Sequence, residues 1–439
     1  MNPTDITYWN REAETPPREQ LERQQLESLR QTVETALKTP FYRRRLEKCG
    51  LADGSDIAAL EDLKRIPFTT KDDLREAYPD QLLAVPLDEV VRLHTSSGTT
   101  GTPTVIYHTQ QDIDAWTELT CRGVVATGAS HRDVFQNMMS YGLFTGGLGL
   151  HYAAEKIGMT VIPSASGNTR RQMKLMKDFR TTAIHATPSY ILHIHAKLEE
   201  EGFRPEDFHL QRAFIGAEAH SESTRQKIEE LFNMRAFNSY GMSEMNGPGV
   251  AFECVCQEDM HLWEDAYHME VIDPESRHSL PDGEIGELVM TTLQRGATPL
   301  LRYRTGDLTS INGSPCACGR THRRIARIKG RADDMMIING VNIYPSTIEA
   351  VIMTVPEVGT NYQICIDKDG ALDQLTVKTE IYSKLFNGDI RSLEQLKRRI
   401  QNRLKTEVVI SPVIELHEPG SLPVYEGKAV RVFDNRPKE

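Results

Sequence analysis

No window of this 439-residue chain approaches the roughly 18 consecutive apolar residues that a membrane-crossing helix needs, so no membrane partner is expected. Positive charge is also short. The 51 Lys and Arg stand against 62 Asp and Glu, and the net charge of −11 argues against nucleic acid or an anionic membrane surface as a general partner. An anionic ligand must therefore be met by local donors rather than by a basic surface. The first residues, Met1-Asn2-Pro3-Thr4-Asp5, lack the basic and apolar regions of a signal peptide. The seven cysteines, an odd number, do not read as a secreted disulfide framework, and the cytoplasm is the expected address. Internal repeats and low-complexity runs are missing as well. What is present is an ordinary globular composition, 39% hydrophobic and 26% charged, on a chain too long for one compact core.

The stretch Thr95-Ser96-Ser97-Gly98-Thr99-Thr100-Gly101-Thr102-Pro103-Thr104 stands between the apolar residues Val90, Val91, Leu93 and Val105, Ile106, Tyr107. It reads as a loop joining two strands. Gly98 and Gly101 permit close backbone approach and φ > 0, and successive backbone N–H groups with hydroxyls around them make an anion-binding concavity. This is a phosphate cradle in chemical terms, but not a Walker A loop, because it contains no lysine.

Apolar periodicity predicts a helix over residues 16–38, with Leu26, Leu29, Val33 and Leu37 on one face and Pro40-Phe41-Tyr42 ending it. From about residue 80 to 250, short apolar strands alternate with amphipathic helices, the pattern of a layered α/β domain. Examples are strands at 158–162 and 183–186 and helices at 170–179 and 190–200. His193 and His195 lie two apart on such a helix, about 200° around its axis, and are read as ordinary surface and core residues. Residues 265–310 turn β-rich, with tight turns. A domain boundary is expected near residue 330, giving an N-terminal domain over 1–329 and a C-terminal one over 330–439. Past it the order is strand (335–338), helix (345–353), strand (362–367), strand (375–380), helix (393–404), strand (413–417), that of a small ferredoxin-like α+β unit. The tail after His417 reads as loop.

Five stretches occur in the order typical of the adenylate-forming superfamily: the phosphate stretch, Tyr240-Gly241-Met242-Ser243-Glu244, Tyr303-Arg304-Thr305-Gly306-Asp307, Gly330-Arg331-Ala332-Asp333-Asp334, and Gly427-Lys428. Within it the chain resembles the phenylacetate–CoA ligase family through Tyr141-Gly142-Leu143-Phe144-Thr145-Gly146-Gly147-Leu148-Gly149, His151-Tyr152, 334–338, 426–432, Tyr8-Trp9-Asn10 and Pro40-Phe41-Tyr42. The resemblance implies a ligase in which a carboxylate attacks the α-phosphorus of ATP, releasing pyrophosphate, and the coenzyme A thiol then displaces AMP. It implies nucleotide binding by Ser96, Ser97, Gly98, Thr99, Thr100, Gly101, Glu218, Tyr240, Gly241, Ser243, Asp307 and Arg331. Glu244 would be the Mg²⁺ ligand, and Asp307 would accept from the ribose hydroxyls. Lys428 would bring the missing positive charge to the α-phosphate from a mobile lid. Asp333 would be the hinge of that lid, and Gly340 and Asn342 would face coenzyme A after rotation. The acid pocket would be lined by Tyr141, Phe144, Gly216, Ala217 and Pro248, walls that suit a flat apolar acid. A homodimer is implied by the family.

Cys316-Ala317-Cys318 with Cys254, Cys256 and His261 offers five ligands for a four-coordinate zinc site. Alternation puts Cys254 and Cys256 on one face, so the residues leave that choice open. The resemblance implies Cys254, His261, Cys316 and Cys318, with a structural rather than catalytic ion. Two other functions fit part of the pattern. One is an adenylating enzyme with a different acceptor, a flavin-like cofactor as in coenzyme F390 synthetase or a carrier protein. The other is a nucleotide sensor without catalysis, against which the joint presence of Glu244, Asp307 and Lys428 argues.

Overall fold

The computed structural model describes residues 6–95, 102–369, 372–382, 390–423 and 430–436. They divide into two units, Met1–Ala165 with Phe237–Arg327 and Ser166–Ala236 with Ile328–Glu439. Each mixes helices with sheets, the α/β and α+β character expected.

In the first unit the long N-terminal helix spans Arg18–Leu37 and buries Leu21, Leu29 and Val33 along one face. Pro40 does more than close it. With Thr39 as N-cap, accepting from the Tyr42 N–H, it opens a second helix, Pro40–Lys48, because proline is pre-organised for a first helical turn. The apolar segments flanking the Ser/Thr/Gly stretch are an antiparallel pair, Arg92–Thr95 against Val105–His108, in register from Arg92↔His108 to Thr95↔Val105. A capping box of Thr109 and Asp112 then starts the helix Gln110–Ala126, which packs on the helix Gly146–Ile157 and the strand Gly247–Glu253. The strands Arg235–Met242, Gly247–Glu253, Met260–Leu262, Arg324–Ile325 and Ile311–Asn312 pair antiparallel in that order. The β-rich stretch forms the antiparallel run Tyr267–Ile272, Gly286–Thr292, Tyr303–Thr309.

In the second unit Ala183–Ala186 and Arg212–Gly216 run parallel, and helices Thr169–Asp178 and Pro188–Lys197 fall where the periodicity put them. The Ile328–Glu439 part holds a four-stranded sheet in the order Val413–His417, Leu372–Ile381, Val358–Asp369, Val432–Asp434. Helices Pro345–Ile352 and Ile390–Val408 bury Ile348, Ile352, Ile400 and Leu404 with Ile364 and Val377 of that sheet. Two expectations change here. Met336–Ile338 forms a separate hairpin with Val341–Ile343 instead of the sheet's first strand. The tail is not all loop, because Val432–Asp434 is an edge strand parallel to Val358–Asp369. Three residues are too few to show alternation in a sequence. The strand forms because a sheet edge is there to receive it: the Ile364 N–H donates to the Arg431 carbonyl at 2.7 Å, and the Arg431 guanidinium stacks 4.3 Å over the Tyr362 ring. Among the described residues, no helix is long and apolar enough to cross a membrane.

Candidate active site

In the first unit the strand Arg235–Met242 shifts register at Tyr240-Gly241, and the chain reverses just after it. A Cβ at Gly241 would lie 1.9 Å from the Gly247 carbonyl oxygen, so only glycine lets the strands Arg235–Met242 and Gly247–Glu253 close on one another. The reversal carries a short 3-10 turn, Ser243–Met245, and Asn246 leaves it with φ +78. Glu244 on this turn is only 5% exposed, and its Oε1 accepts from the Thr104 hydroxyl at 3.4 Å. Thr104 closes the phosphate stretch, so the fold brings that stretch's end to the expected magnesium carboxylate. Ser243 Oγ lies 3.2 Å from the Thr145 hydroxyl. The Tyr240 hydroxyl donates to Asp307 Oδ2 at 2.7 Å, and the Asp307 N–H donates to the Thr305 hydroxyl at 3.0 Å. Two residues expected to bind nucleotide are thereby held in one orientation. Ser96, Ser97, Gly98, Thr99, Thr100, Gly101 and Lys428 lie outside the described residues.

Of the acid-pocket candidates, Tyr141 and Phe144 flank the glycine-rich start of the helix Gly146–Ile157. Added Cβ atoms would meet the Phe144 ring at 2.9 Å from Gly146 and the Tyr141 ring at 3.0 Å from Gly147. The Tyr141 hydroxyl accepts from Asn137 Nδ2 at 3.0 Å and lies 3.1 Å from His151 Nδ1; burial pushes its pKa up to about 12. Pro248 lies on the same helix at Gly149, and its carbonyl accepts from Trp116 Nε1 at 2.9 Å. Beside Trp116, with rings 6.0 Å apart and nearly parallel, His108 is fully buried, and burial drives its pKa down to about 2. Gly216, Ala217 and Glu218 belong to the second unit. They end the strand Arg212–Gly216, Ala217 turning with φ +66, and Glu218 accepts from the Ser189 N–H at 2.6 Å and its hydroxyl at 2.9 Å. Burial raises the Glu218 pKa despite these bonds. The same unit has a cavity of about 470 Å³, which Glu218, His220, Asp333 and Arg431 help to line. Arg331 and Asp333 form an exposed ion pair at 2.8 Å; beyond it Gly340 is exposed on the hairpin turn and Asn342 on the strand Val341–Ile343.

Cys254, His261, Cys316 and Cys318 are all buried, with ligand atoms within 4.8 Å of one another. Cys254 and Cys316 sulfurs are 3.7 Å apart, and Cys318 Sγ is 3.3 Å from His261 Nε2. A tetrahedral ion with metal–sulfur bonds of about 2.3 Å sets its sulfurs about 3.8 Å apart, so the set fits zinc. His261 Nδ1 donates to the His322 carbonyl at 3.1 Å, which turns Nε2 toward the sulfurs. Hydrogen bonding from Cys254 lowers the pKa values of the Cys316 and Cys318 thiols, while that of Cys254 is raised. Cys256, half-buried, lies beside the set: its N–H reaches the Cys254 sulfur at 3.4 Å, and its thiol hydrogen-bonds to Cys254 and Cys316.

The AMP-binding enzyme family matches residues 18–294, and the AMP-binding enzyme C-terminal domain matches 340–436. The chain is 44% identical to the phenylacetate-coenzyme A ligase of Thermus thermophilus over 97% of this chain and 99% of that protein. It is 42% identical to the phenylacetate-coenzyme A ligase of Pseudomonas putida over 96% of both. The chain belongs to the phenylacetate–coenzyme A ligase family. Its enzyme class is that of the AMP-forming acid–thiol ligases, which use ATP to activate an acid and pass it to coenzyme A. Among solved structures, 2-hydroxyisobutyryl-CoA ligase in the postadenylation state, in complex with R3-HIB-AMP, is 29% identical with a TM-score of 0.92, covering 99% of this chain and 94% of that one.

Several residues around these family positions had no signal of their own. Asn137 ends a strand, Trp116 sits mid-helix, and Arg295 lies in a connection between strands. Their partners Tyr141, Pro248 and Glu244 are respectively 4, 132 and 51 positions away, and the last two spacings have no local pattern to betray them.

Proposed function

We propose that this member of the family activates phenylacetate or a close aromatic relative, forming its acyl-adenylate and then its coenzyme A thioester. In the first half-reaction a carboxylate oxygen forms a bond to the α-phosphorus and the bond to the β-phosphate bridging oxygen breaks, releasing pyrophosphate. In the second, the thiol sulfur bonds to the acyl carbon, AMP leaves with the electron pair, and the thiol proton is lost. The observation that carries this reading is the joining of Thr104, Glu244, Tyr240 and Asp307 at one reversal of chain, in a sequence 44% identical to a phenylacetate-coenzyme A ligase.

Ser96 to Gly101 would cradle the outgoing phosphates, Asp307 would hold the ribose, and Lys428 would meet the α-phosphoryl charge as it develops. Glu244 would hold magnesium, which supplies charge neutralisation on the polyphosphate when bound. Tyr141, Phe144, Gly216, Ala217 and Pro248 would form the acid's walls, with Gly216, Ala217 and Glu218 toward the adenine. Residues 330–439 would act as the lid, with Asp333 as its hinge, Arg331 near the nucleotide, and Gly340 and Asn342 toward coenzyme A. Cys254, His261, Cys316 and Cys318 would hold zinc with no open position, so that ion cross-links the β-rich segments rather than reacting. The assembly would be a cytoplasmic homodimer.

The test is pyrophosphate release from ATP and Mg²⁺ with a panel of carboxylic acids, each with and without coenzyme A. Turnover with phenylacetate, strongly raised by coenzyme A, is the expected result. Release indifferent to coenzyme A would move the second half-reaction to another acceptor. No release with any aromatic acid would overturn the reading.

A further inference from the structure

Between the strands Gly286–Thr292 and Tyr303–Thr309, the connection carries two buried cations, Arg302, paired with Glu270, and Arg295, 5% exposed. Its Nη1 donates to the backbone oxygen of Glu244 at 2.6 Å and to that of Thr298 at 3.4 Å. Its Nη2 donates to Asn246 Oδ1 at 2.5 Å. The guanidinium therefore clamps the residue that would hold magnesium and the positive-φ residue that ends its turn. Three residues on, the Thr298 hydroxyl accepts from the Tyr107 N–H at 3.1 Å and donates to the Tyr107 carbonyl at 3.4 Å. Tyr107 is on the strand leaving the phosphate stretch. Between them, the Gly296 and Ala297 N–H groups donate to Asp112, at 2.7 and 3.1 Å, fixing the connection to the start of the helix Gln110–Ala126.

Arg295 and Thr298 thus tie the Glu244 turn and the phosphate strand to one short piece of backbone. A buried guanidinium with planar, forked donors can hold two acceptors at a fixed angle, which a lysine cannot. Those bonds run to the backbone of Glu244, so the positive charge steadies the turn without occupying the carboxylate.

We propose that Arg295 is the positioning residue for magnesium–ATP binding: it fixes the Glu244 carboxylate relative to the strand that leaves the phosphate stretch. This rests on the reading of Glu244 as the magnesium ligand. Simple Coulomb repulsion makes the opposite prediction, since removing a cation beside a carboxylate should strengthen its hold on a divalent ion.

The test is calorimetric ATP binding, without acid, to the wild type and to Arg295→Met, Arg295→Lys and Glu244→Gln, each in Mg²⁺ and in EDTA. The readout is the gain in ATP affinity that Mg²⁺ confers. Loss of charge-assisted bonds to the turn is expected to cut that gain by about tenfold in Arg295→Met, with affinity in EDTA unchanged and with partial recovery in Arg295→Lys. A gain that is unchanged or larger in Arg295→Met, while Glu244→Gln loses it, overturns the proposal but keeps Glu244. A gain that survives Glu244→Gln sinks the reading of Glu244 itself. If Arg295→Met does not fold, Arg295→Lys decides alone, since it keeps the charge and loses the fork. An undiminished gain there overturns the proposal.

Discussion

The residues proposed to meet magnesium and ribose and those proposed around the hinge and the coenzyme A face of the lid are built in opposite ways. Tyr240, Glu244 and Asp307 are 8%, 5% and 9% exposed and held by hydroxyls, backbone and a buried arginine. Arg331 and Asp333, an ion pair, have side chains 38% and 68% exposed, Gly340 lies open on a turn, and Asn342 is exposed on the strand that follows it. Buried, pre-oriented groups stabilise developing charge without reorganising. Exposed groups at a turn can meet a ligand only when something else covers them. The difference matches a division in which the magnesium and ribose contacts are standing and those supplied by residues 330–439 are assembled.

That comparison breaks or sharpens under substitution, the largest effect first. Lys428→Ala is expected to slow pyrophosphate release by roughly a thousandfold, the cost of losing a positioned charge at the transition state. Thioester formation from pre-made acyl-adenylate, followed by quenched flow, should continue at the wild-type rate. Loss of both would erase the division. Cys316→Ser, or stripping metal with a strong chelator, should destabilise the first unit on the order of 3 kcal/mol, through loss of a buried ligand. Thermal melting read alongside metal content checks it. An unchanged melt with no zinc in the native protein would leave the four side chains as a thiol–imidazole cluster.

Smaller effects separate the two steps. Asp307→Asn should raise the KM for ATP by about tenfold with kcat nearly intact, as expected for a charged hydrogen bond to substrate. Asn342→Trp, placed where the chain is exposed, should instead slow thioester formation and leave adenylation alone. A further effect, graded by pH, is in acid. His108 is neutral in the fold with its pKa near 2, against 6.5 unfolded, so the unfolded chain binds the extra proton throughout that window. Its contribution to stability is full above pH 6.5 and is lost as pH falls below it, by up to about 1.4 kcal/mol per pH unit. His108→Gln should flatten the acid limb of a denaturation series. His185 in the second unit, held near 3 by burial, should keep its own slope there.

Much of the site was legible because its residues sit in contiguous motifs, where spacing alone carries the chemistry. Tyr240, Glu244 and Asp307 stand out that way, and the structure joins Tyr240 to Asp307 directly. The helix Arg18–Leu37 and the pair around the phosphate stretch were equally readable, because periodicity of 3.6 or 2 is a local property. Pro40 was half read, since the same residue ends one helix and begins the next.

By itself the sequence determined the superfamily motifs and their order, the alternation of strand and helix, and the set of five possible metal ligands. Tertiary structure alone decided what depends on distance between remote residues. It brought together Cys254, His261, Cys316 and Cys318, with their ligand atoms within 4.8 Å of one another. It recruited Val432–Asp434 to an open sheet edge, and it set Arg295 under the Glu244 turn. Each outcome follows from burial: a polar group withdrawn from water must find a partner wherever the chain happens to pass, and no local pattern records where that is.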